Sequence, residues 1–464
     1  MGNGKKKAGR RTERAPQRGH RHEKRLLAAL AAGAVLASLL TGCGGKKTLL
    51  DPADPVTLTM WHVYGEQAES PMNTLVEEFN KTVGREKGIV LDVTAMTNST
   101  KIGQELLDAQ AQKPGAPEMP DLFFCHTDNA AALGAETLID WNTLFSKKEL
   151  GDYVDAFVQE GTIDGRLTVF PVSKSTHLLF LNGSRFGRFA AQTGASYDDL
   201  ATWDGFYKTA AAFAAWSGGE PFCAFDYPLR TIQLDAESAG RSVMTADGWY
   251  DFTSEALHTA WLRFARALAQ GQVVLSDLYS NTHVMTGETL GGISSSAAIL
   301  YYNDTVTYAD NTSEPIDLHI LPLPQDPGGT ALATQAGVGL CALKTTGRKA
   351  EAAGVFARWL TESERNLSFV TQTGYMPVRR GAFDAIDSHV FSSDAYRGLY
   401  QALQTVNKTC ALREEPGGAG YYTRVNALYD ALRRLQPELR ARCLAGESPD
   451  ALAEETWQLF QSIQ

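Results

Sequence analysis

The sequence has few cysteines and lacks the short motifs of phosphate, zinc and ester chemistry. Its 464 residues include only 6 Cys, and none of them has the C-x-x-C spacing of zinc or redox sites. No G-x-x-x-x-G-K-[ST], H-E-x-x-H or G-x-S-x-G motif is present. We therefore predict no metal, no cofactor and no enzymatic activity. A carboxylate pair for glycoside hydrolysis stays open, because Asp and Glu number 53.

The cysteines predict little cross-linking. Cys125, Cys223 and Cys341 stand in apolar surroundings, which favours buried free thiols. A disulfide between Cys410 and Cys443 stays open, since spacing alone does not decide pairing.

Most of the chain also lacks a basic surplus. Residues 1–42 contain 10 Lys or Arg and 2 acidic residues, whereas the remainder carries 33 basic against 51 acidic residues. A chain that is this acidic after residue 42 is unsuited to binding nucleic acid, because such binding requires a basic surface.

The N-terminal segment is typical of secretion. An uncharged apolar run, residues 26–40, follows the basic stretch and is shorter than the roughly 20 residues that span a bilayer. It ends at Leu40-Thr41-Gly42-Cys43, which resembles a bacterial lipobox. We predict a signal peptide over residues 1–42, lipidation of Cys43 and a lipid-anchored linker over residues 43–55. The predicted location is the extracytoplasmic face of a bacterial cell membrane.

Strand and helix patterns alternate after the linker. Strands are predicted at 56–61, 89–94 and 122–125, with helices between them. This order indicates a parallel sheet with crossover helices. Ligands bind beyond the carboxyl ends of such strands, here at residues 62–66, 96–101 and 126–129.

Several short segments, in this order, carry a resemblance to a known family. They are Trp61-His62, Phe170-Pro171-Val172-Ser173, Thr202-Trp203 and Gly374-Tyr375-Met376-Pro377-Val378. Behind a lipobox, they resemble family 1 of the bacterial extracellular solute-binding proteins, the carbohydrate-importer receptors. The resemblance covers nearly the whole chain after the linker.

The resemblance implies a fold and partners. The fold class is α/β and periplasmic-binding-protein-like, with two α/β lobes, a three-crossing hinge and a ligand cleft between the lobes. One lobe would comprise 56–171 with 320–370, and the other 172–319 with 371–464. A monomer would close on its ligand and dock on ABC permease subunits with their ATPase.

Within the family, the local similarity is to receptors for sn-glycerol 3-phosphate. It implies a ligand-binding role for six residues: Ser175, Ser295, Ser296, Gly337, Tyr375 and Arg424. The forked guanidinium group of an Arg and side-chain hydroxyl groups can donate hydrogen bonds to the oxygens of a phosphate.

The sequence departs from those receptors at other positions. Ser99 and Thr100 stand where those receptors have a Tyr, and Thr127 with Asp128 beside it stands where they have a Glu. Pro228 and Thr231 stand in place of paired Trp residues. We therefore expect a sugar, oligosaccharide or polyol, with glycerol phosphate as the alternative.

Several candidates have a structural explanation beside the ligand-binding one. Trp61 either contacts a ligand in the cleft or packs in the core. Asp128 either accepts hydrogen bonds from sugar hydroxyls or caps a helix. Arg424 contacts either ligand or a surface carboxylate. One of Tyr421 and Tyr422 is expected to reach the cleft, because both follow a Gly-rich loop.

We predict that the chain is the substrate-binding lipoprotein of an ABC importer. The alternatives are a surface-anchored adhesion or structural lipoprotein and an extracellular glycoside hydrolase or esterase.

Overall fold

A computed structural model of the chain describes residues 48–65, 69–417 and 420–463. The strands are β1 (Val56–His62), β2 (Ile89–Ala95), β3 (Leu122–Cys125), β4 (Thr162–Ile163), β5 (Arg166–Leu167), β6 (His177–Asn182), β7 (Cys223–Phe225), β8 (Val273–Val274), β9 (Gly291–Ser295), β10 (Thr305–Thr307), β11 (Ser313–Pro315), β12 (Leu318–Pro322), β13 (Leu332–Gln335), β14 (Gly339–Ala342) and β15 (Ala411–Glu414). The helices are α1 (Pro71–Phe79), α2 (Ser99–Gln110), α3 (Thr127–Leu133), α4 (Lys147–Leu150), α5 (Asp155–Glu160), α6 (Gly183–Thr193), α7 (Trp203–Ser217), α8 (Pro228–Glu237), α9 (Glu255–Ala269), α10 (Ser280–Met285), α11 (Gly347–Leu360), α12 (Ser363–Val370), α13 (Arg380–Asp384), α14 (Asp394–Thr409), α15 (Tyr421–Leu444) and α16 (Pro449–Ser462).

Two larger sheets organise these elements. The first has the order β14-β3-β1-β2, in which β1 runs parallel to β2 and β3, as the alternation of strands and helices predicts. The late strand β14 joins it antiparallel to β3. The second has the order β12-β6-β9-β7-β8 and mixes parallel and antiparallel pairs. The described residues thus have the α/β fold that the sequence predicts.

Side chains cover both faces of the central strands. In β6, Leu178 and Phe180 pack into one apolar cluster, while Leu179 and Leu181 pack into another. All six residues of β6 are consequently buried. Each buried Leu or Phe contributes roughly 1.5–3 kcal/mol through removal from water.

Side-chain caps begin several of the helices. The hydroxyl of Ser70 accepts from the main-chain N–H of Asn73, and Pro71 occupies the first helical position. Thr202 caps α7 in the same way. Such caps satisfy N–H groups that have no partner inside the helix, each worth about 1 kcal/mol.

Three stretches of chain, residues 173–176, 334–337 and 374–376, are joined by hydrogen bonds, and we call them the junction. Residues 173–176 lead into the second sheet, and residues 334–337 lead back to the first. Ser175 and Ala336 exchange main-chain hydrogen bonds of 2.9 and 3.1 Å, and Lys174 exchanges them with Met376. Nearby, β13 pairs in parallel with β15, so the C-terminal part is also attached here.

Residues Leu50–Gln464 form a single compact unit. The lobe boundaries given above stay a prediction. Cys43 and the proposed signal peptide lie outside the described residues. None of the helices that the structure describes is both long enough and apolar enough to cross a membrane.

The described cysteines are free thiols. Cys125, Cys223 and Cys341 are buried, whereas Cys410 and Cys443 are partly exposed. The Cys410–Cys443 disulfide that the sequence left open is thus not formed here.

Gly374 fits its position because the chain there is both left-handed and closely packed. Its φ is 73°, and an added Cβ would lie 2.8 Å from the main-chain oxygen of Ser296. Gly328 also has a positive φ, 82°, but has nothing within 4 Å of its Cβ position.

We expect Gly374→Ala to lower the free energy of unfolding by about 2–4 kcal/mol, through left-handed strain and overpacking. Gly328→Ala should lower the free energy of unfolding by only about 1–2 kcal/mol, because it introduces left-handed strain without overpacking. Urea unfolding of both variants measures the difference. Equal losses would contradict the close approach at Gly374.

Candidate functional site

Two adjoining cavities lie where the first sheet meets the junction. The smaller has a volume of about 180 Å³, and the larger has a volume of about 720 Å³. His126 and Gly337 line both. The larger volume lies within the range of roughly 300–1,000 Å³ that is usual for small-ligand pockets.

The smaller cavity lies beyond the carboxyl ends of three parallel strands. Tyr64 follows β1, Ser99 follows β2 and His126 follows β3, and all three line it. These residues fall in the segments that the parallel-sheet rule selects from the sequence. His126 Nε2 lies 3.1 Å from the hydroxyl of Ser99.

Tyr64 is fixed by its neighbours. Its hydroxyl lies 2.9 Å from the hydroxyl of Ser173, and its ring packs edge-on against Tyr375 at 6.1 Å between centroids. Burial raises the pKa of Tyr64 strongly, and the neighbouring Tyr375 adds to the shift. Tyr64 is therefore a neutral wall of the smaller cavity, able to exchange hydrogen bonds.

A buried ion pair lies next to the larger cavity. Lys174 Nζ is 2.8 Å from Glu160, and the two side chains are only 2% and 12% exposed. Lys174 also donates to the main-chain oxygen of Gly337 at 3.1 Å. The pair thus joins α5, whose last residue is Glu160, to two stretches of the junction.

The lining of the larger cavity is acidic. Asp128, Glu160, Glu414 and Glu415 line it, and Tyr422 donates to Glu415 at 3.1 Å. Burial raises the pKa of Glu414, and the charge of Glu160 acts in the same direction. Burial also lowers the pKa of His126, although the carboxylates around it oppose that shift.

The structure places some of the predicted residues at the cavities. Gly337 and Tyr375 line the smaller one, and Thr127, Asp128 and Gly337 line the larger. Ser175 lies in the junction, two residues before His177, and is 7% exposed.

Other predicted residues lie elsewhere. Trp61 packs with Ile102 and Leu106, because alternate residues of β1 face α2. Arg424 lies over the ring of Trp249 at 5.1 Å, so its guanidinium does not line either cavity. Thr100 is exposed, and its neighbours Asn98 and Ser99 line the smaller cavity instead.

The two serines begin a short 3₁₀ helix, Ser296–Tyr301. Ser295 accepts from the main-chain N–H of Ala297. The hydroxyl of Ser296 is buried and has no hydrogen-bond partner among the described residues. Neither serine lines the two cavities, and Ser295 instead caps this short helix.

Sequence reasoning missed most of the carboxylates. Glu160, Glu414 and Glu415 come to the cavity through the pairing of β15 with β13 and through the Lys174 ion pair. The usable signal was the acidic pair Glu414-Glu415 directly before a Gly-rich stretch. Tyr422, one of two tyrosines considered, does line the cavity.

No group of three or more residues suited to a metal ion occurs in the described part of the chain.

We expect Lys174→Met to destabilise the protein by about 3–5 kcal/mol, because it leaves Glu160 buried without its cation. The double variant Lys174→Met/Glu160→Gln should recover most of that loss. Lys81→Met, which breaks an exposed pair with Glu77, is the matched control and should change stability by about 0.5 kcal/mol or less. Chemical denaturation measures all three. A loss in Lys174→Met no larger than in the control would contradict the buried pair.

Comparison with known proteins identifies the family. The family model described as "Bacterial extracellular solute-binding protein" matches residues 74–396. A search of curated proteins gives no match.

Solved structures share the fold. The cyclic α-maltosyl-1,6-maltose binding protein of Arthrobacter globiformis has a TM-score of 0.66 and 17% identity, covering 88% of this chain and 99% of that one. The sugar-binding protein MalE of Xanthomonas citri has a TM-score of 0.65 and 19% identity, with 88% and 97% covered. UgpB of Mycobacterium tuberculosis, solved with glycerophosphocholine, has a TM-score of 0.59 and 19% identity, with 88% and 98% covered.

Proposed function

The chain belongs to the bacterial extracellular solute-binding protein family, and we propose that it is the substrate-binding subunit of an ABC importer. Members of this family bind solutes and act outside the cytoplasm, so the chain is a binding protein and not an enzyme. We further propose that its ligand is a sugar, oligosaccharide or polyol, which it delivers to membrane permease subunits.

The observation that carries this proposal is the pair of adjoining cavities between the first sheet and the junction. Sugars need polar groups for their hydroxyls and aromatic rings for their C–H faces. Tyr64 and Tyr375 offer rings, and Ser99, His126 and Asp128 offer polar atoms. The larger cavity can hold a small oligosaccharide or part of a longer one.

The placement of Arg424 favours a carbohydrate over glycerol phosphate. A phosphate site needs a cation or several N–H donors directed at the oxyanion. Arg424 was the predicted cation, and its guanidinium lies over Trp249 instead. Of the structural neighbours, one is named for a maltose-type sugar and another as a sugar-binding protein, which agrees with this choice.

The mechanism we propose is closure about the junction. Ligand contacting the first-sheet side and the residues from β15 onward would stabilise a closed form and shift the open–closed equilibrium. The closed form would then dock on the permease. The lobes would have the boundaries predicted from the sequence, and the receptor would act as a monomer.

We expect a carbohydrate to stabilise the protein in a thermal-shift screen of mono- and oligosaccharides, polyols and glycerol phosphates. A ligand at 100 times its Kd adds about 2.7 kcal/mol to the free energy of unfolding. Tyr375→Ala should weaken binding of that ligand by about 1–3 kcal/mol. Tyr375→Phe, which keeps the ring beside Tyr64, is the matched control.

A shift with no compound of the panel would favour the adhesion or structural alternative. Wild-type affinity in Tyr375→Ala would remove Tyr375 from the site.

Anchoring is a separate part of the proposal, since Cys43 lies outside the described residues. We expect Cys43→Ser to move the protein from the membrane fraction to the soluble fraction or to leave the signal segment uncleaved. Fractionation and intact mass measure this. A variant that fractionates like the wild type, with the mass expected for removal of residues 1–42, would contradict lipidation.

A further inference from the structure

The larger cavity has a surplus of hydrogen-bond acceptors. Four carboxylates line it, from Asp128, Glu160, Glu414 and Glu415, and no Lys or Arg is among its described lining residues. Ionised carboxylates only accept hydrogen bonds. Of the four, Glu160 alone has a cationic partner among the described residues, which is Lys174.

A buried amide beside the cavity adds another acceptor. Gln335 is 1% exposed, and its Nε2 donates to the carboxylate of Glu160 and to the main-chain oxygen of Ala156. Its Oε1 is buried and accepts no hydrogen bond from the described residues. A buried acceptor without a donor costs about 1–3 kcal/mol, although Gln335 itself is not among the residues that line the cavity.

The cations near this region are already engaged. Lys174 is bound by Glu160 and by the main-chain oxygen of Gly337. Arg230 is 4% exposed and donates to the main-chain oxygens of Arg413 and Glu414. Arg424 lies over Trp249. The carboxylates of Asp128 and Glu415 therefore keep their charge available to a ligand.

Donors on the cavity wall are also partly used. Tyr422 gives its hydroxyl hydrogen to Glu415, and Thr162 gives its own to the main-chain oxygen of Val158. Within the described part of the chain, Asp128 accepts hydrogen bonds from its neighbour Asn129 alone. Most of the acceptor capacity on this wall is thus open to a donor-rich ligand.

We propose that the larger cavity binds an amino-substituted carbohydrate, whose protonated amine lies between Asp128 and Glu415, and that it rejects anionic ligands. This inference rests on the proposed function and specifies its ligand class. An ammonium group has three donors and no acceptor, which complements the wall. A phosphate offers acceptors only and would face like charges, so its binding here is unfavourable.

The test compares two ligands of equal length, one with free amines and one in which those amines are acetylated and uncharged. Glucosamine oligosaccharides carry amines, and their N-acetylated counterparts of the same length do not. Titration calorimetry on the purified protein should give roughly tenfold tighter binding for the amine form at low ionic strength, because its ion pairs are charge-assisted hydrogen bonds. High salt should reduce that preference, since partly exposed charges are screened.

Variants test which residues carry the preference. Glu415→Gln and Asp128→Asn should each reduce the preference for the amine form to threefold or less. Asp394→Asn, at a carboxylate whose side chain is 89% exposed on α14, is the control and should keep the full preference. Circular dichroism and thermal unfolding check that each variant is folded, and Glu414→Gln replaces any that is not.

Equal or tighter binding of the acetylated form would overturn the inference and leave the proposed function standing. Tighter binding of a sugar phosphate would overturn it as well. If neither oligosaccharide binds, the proposal that the ligand is an amino-substituted carbohydrate is wrong. The wider thermal-shift panel then decides separately whether the protein is a carbohydrate receptor.

Discussion

The buried contact between Lys174 and Glu160 is the interaction on which the site depends. One cation, 2% exposed, neutralises a carboxylate and also donates to Gly337. It thereby connects α5 with the two stretches of the junction that lead into and out of the second sheet. Removing either charge would leave the other buried without a partner, so the junction and the cavity beside it are specified together.

This arrangement explains how a rigid framework presents an acidic surface to a ligand. Carboxylates from α3, from α5 and from the end of β15 with the residue after it surround one space, and of these four only Glu414 and Glu415 are neighbours in the chain. Like charges gathered in this way repel one another. Under the proposed function, a ligand that supplies donors or positive charge would relieve that repulsion and would couple binding to closure of the surrounding segments.

Much of the first sheet could be predicted from the sequence, and the cavity only in part. The bounds of β1, β2 and β3 follow from short apolar runs, and the parallel-sheet rule points to Tyr64, Ser99 and His126. Trp61 was ambiguous because the face it occupies is decided by α2, which packs over it. The carboxylates of Glu414 and Glu415 escaped prediction because β15 pairs with β13, far away in the chain. Periodicity contains no information on such long-range pairing.

The most direct test of this account is a crystal structure of the protein with the carbohydrate that the screen identifies. The account predicts ligand density in the adjoining cavities. In the smaller cavity the ligand should contact Tyr375, and in the larger it should lie within hydrogen-bond distance of Asp128 and Glu415. It also predicts that the first and second sheets lie closer together about the junction than in a second crystal structure, determined without ligand. Density elsewhere on the protein, or bound ligand that contacts none of these residues, would contradict it.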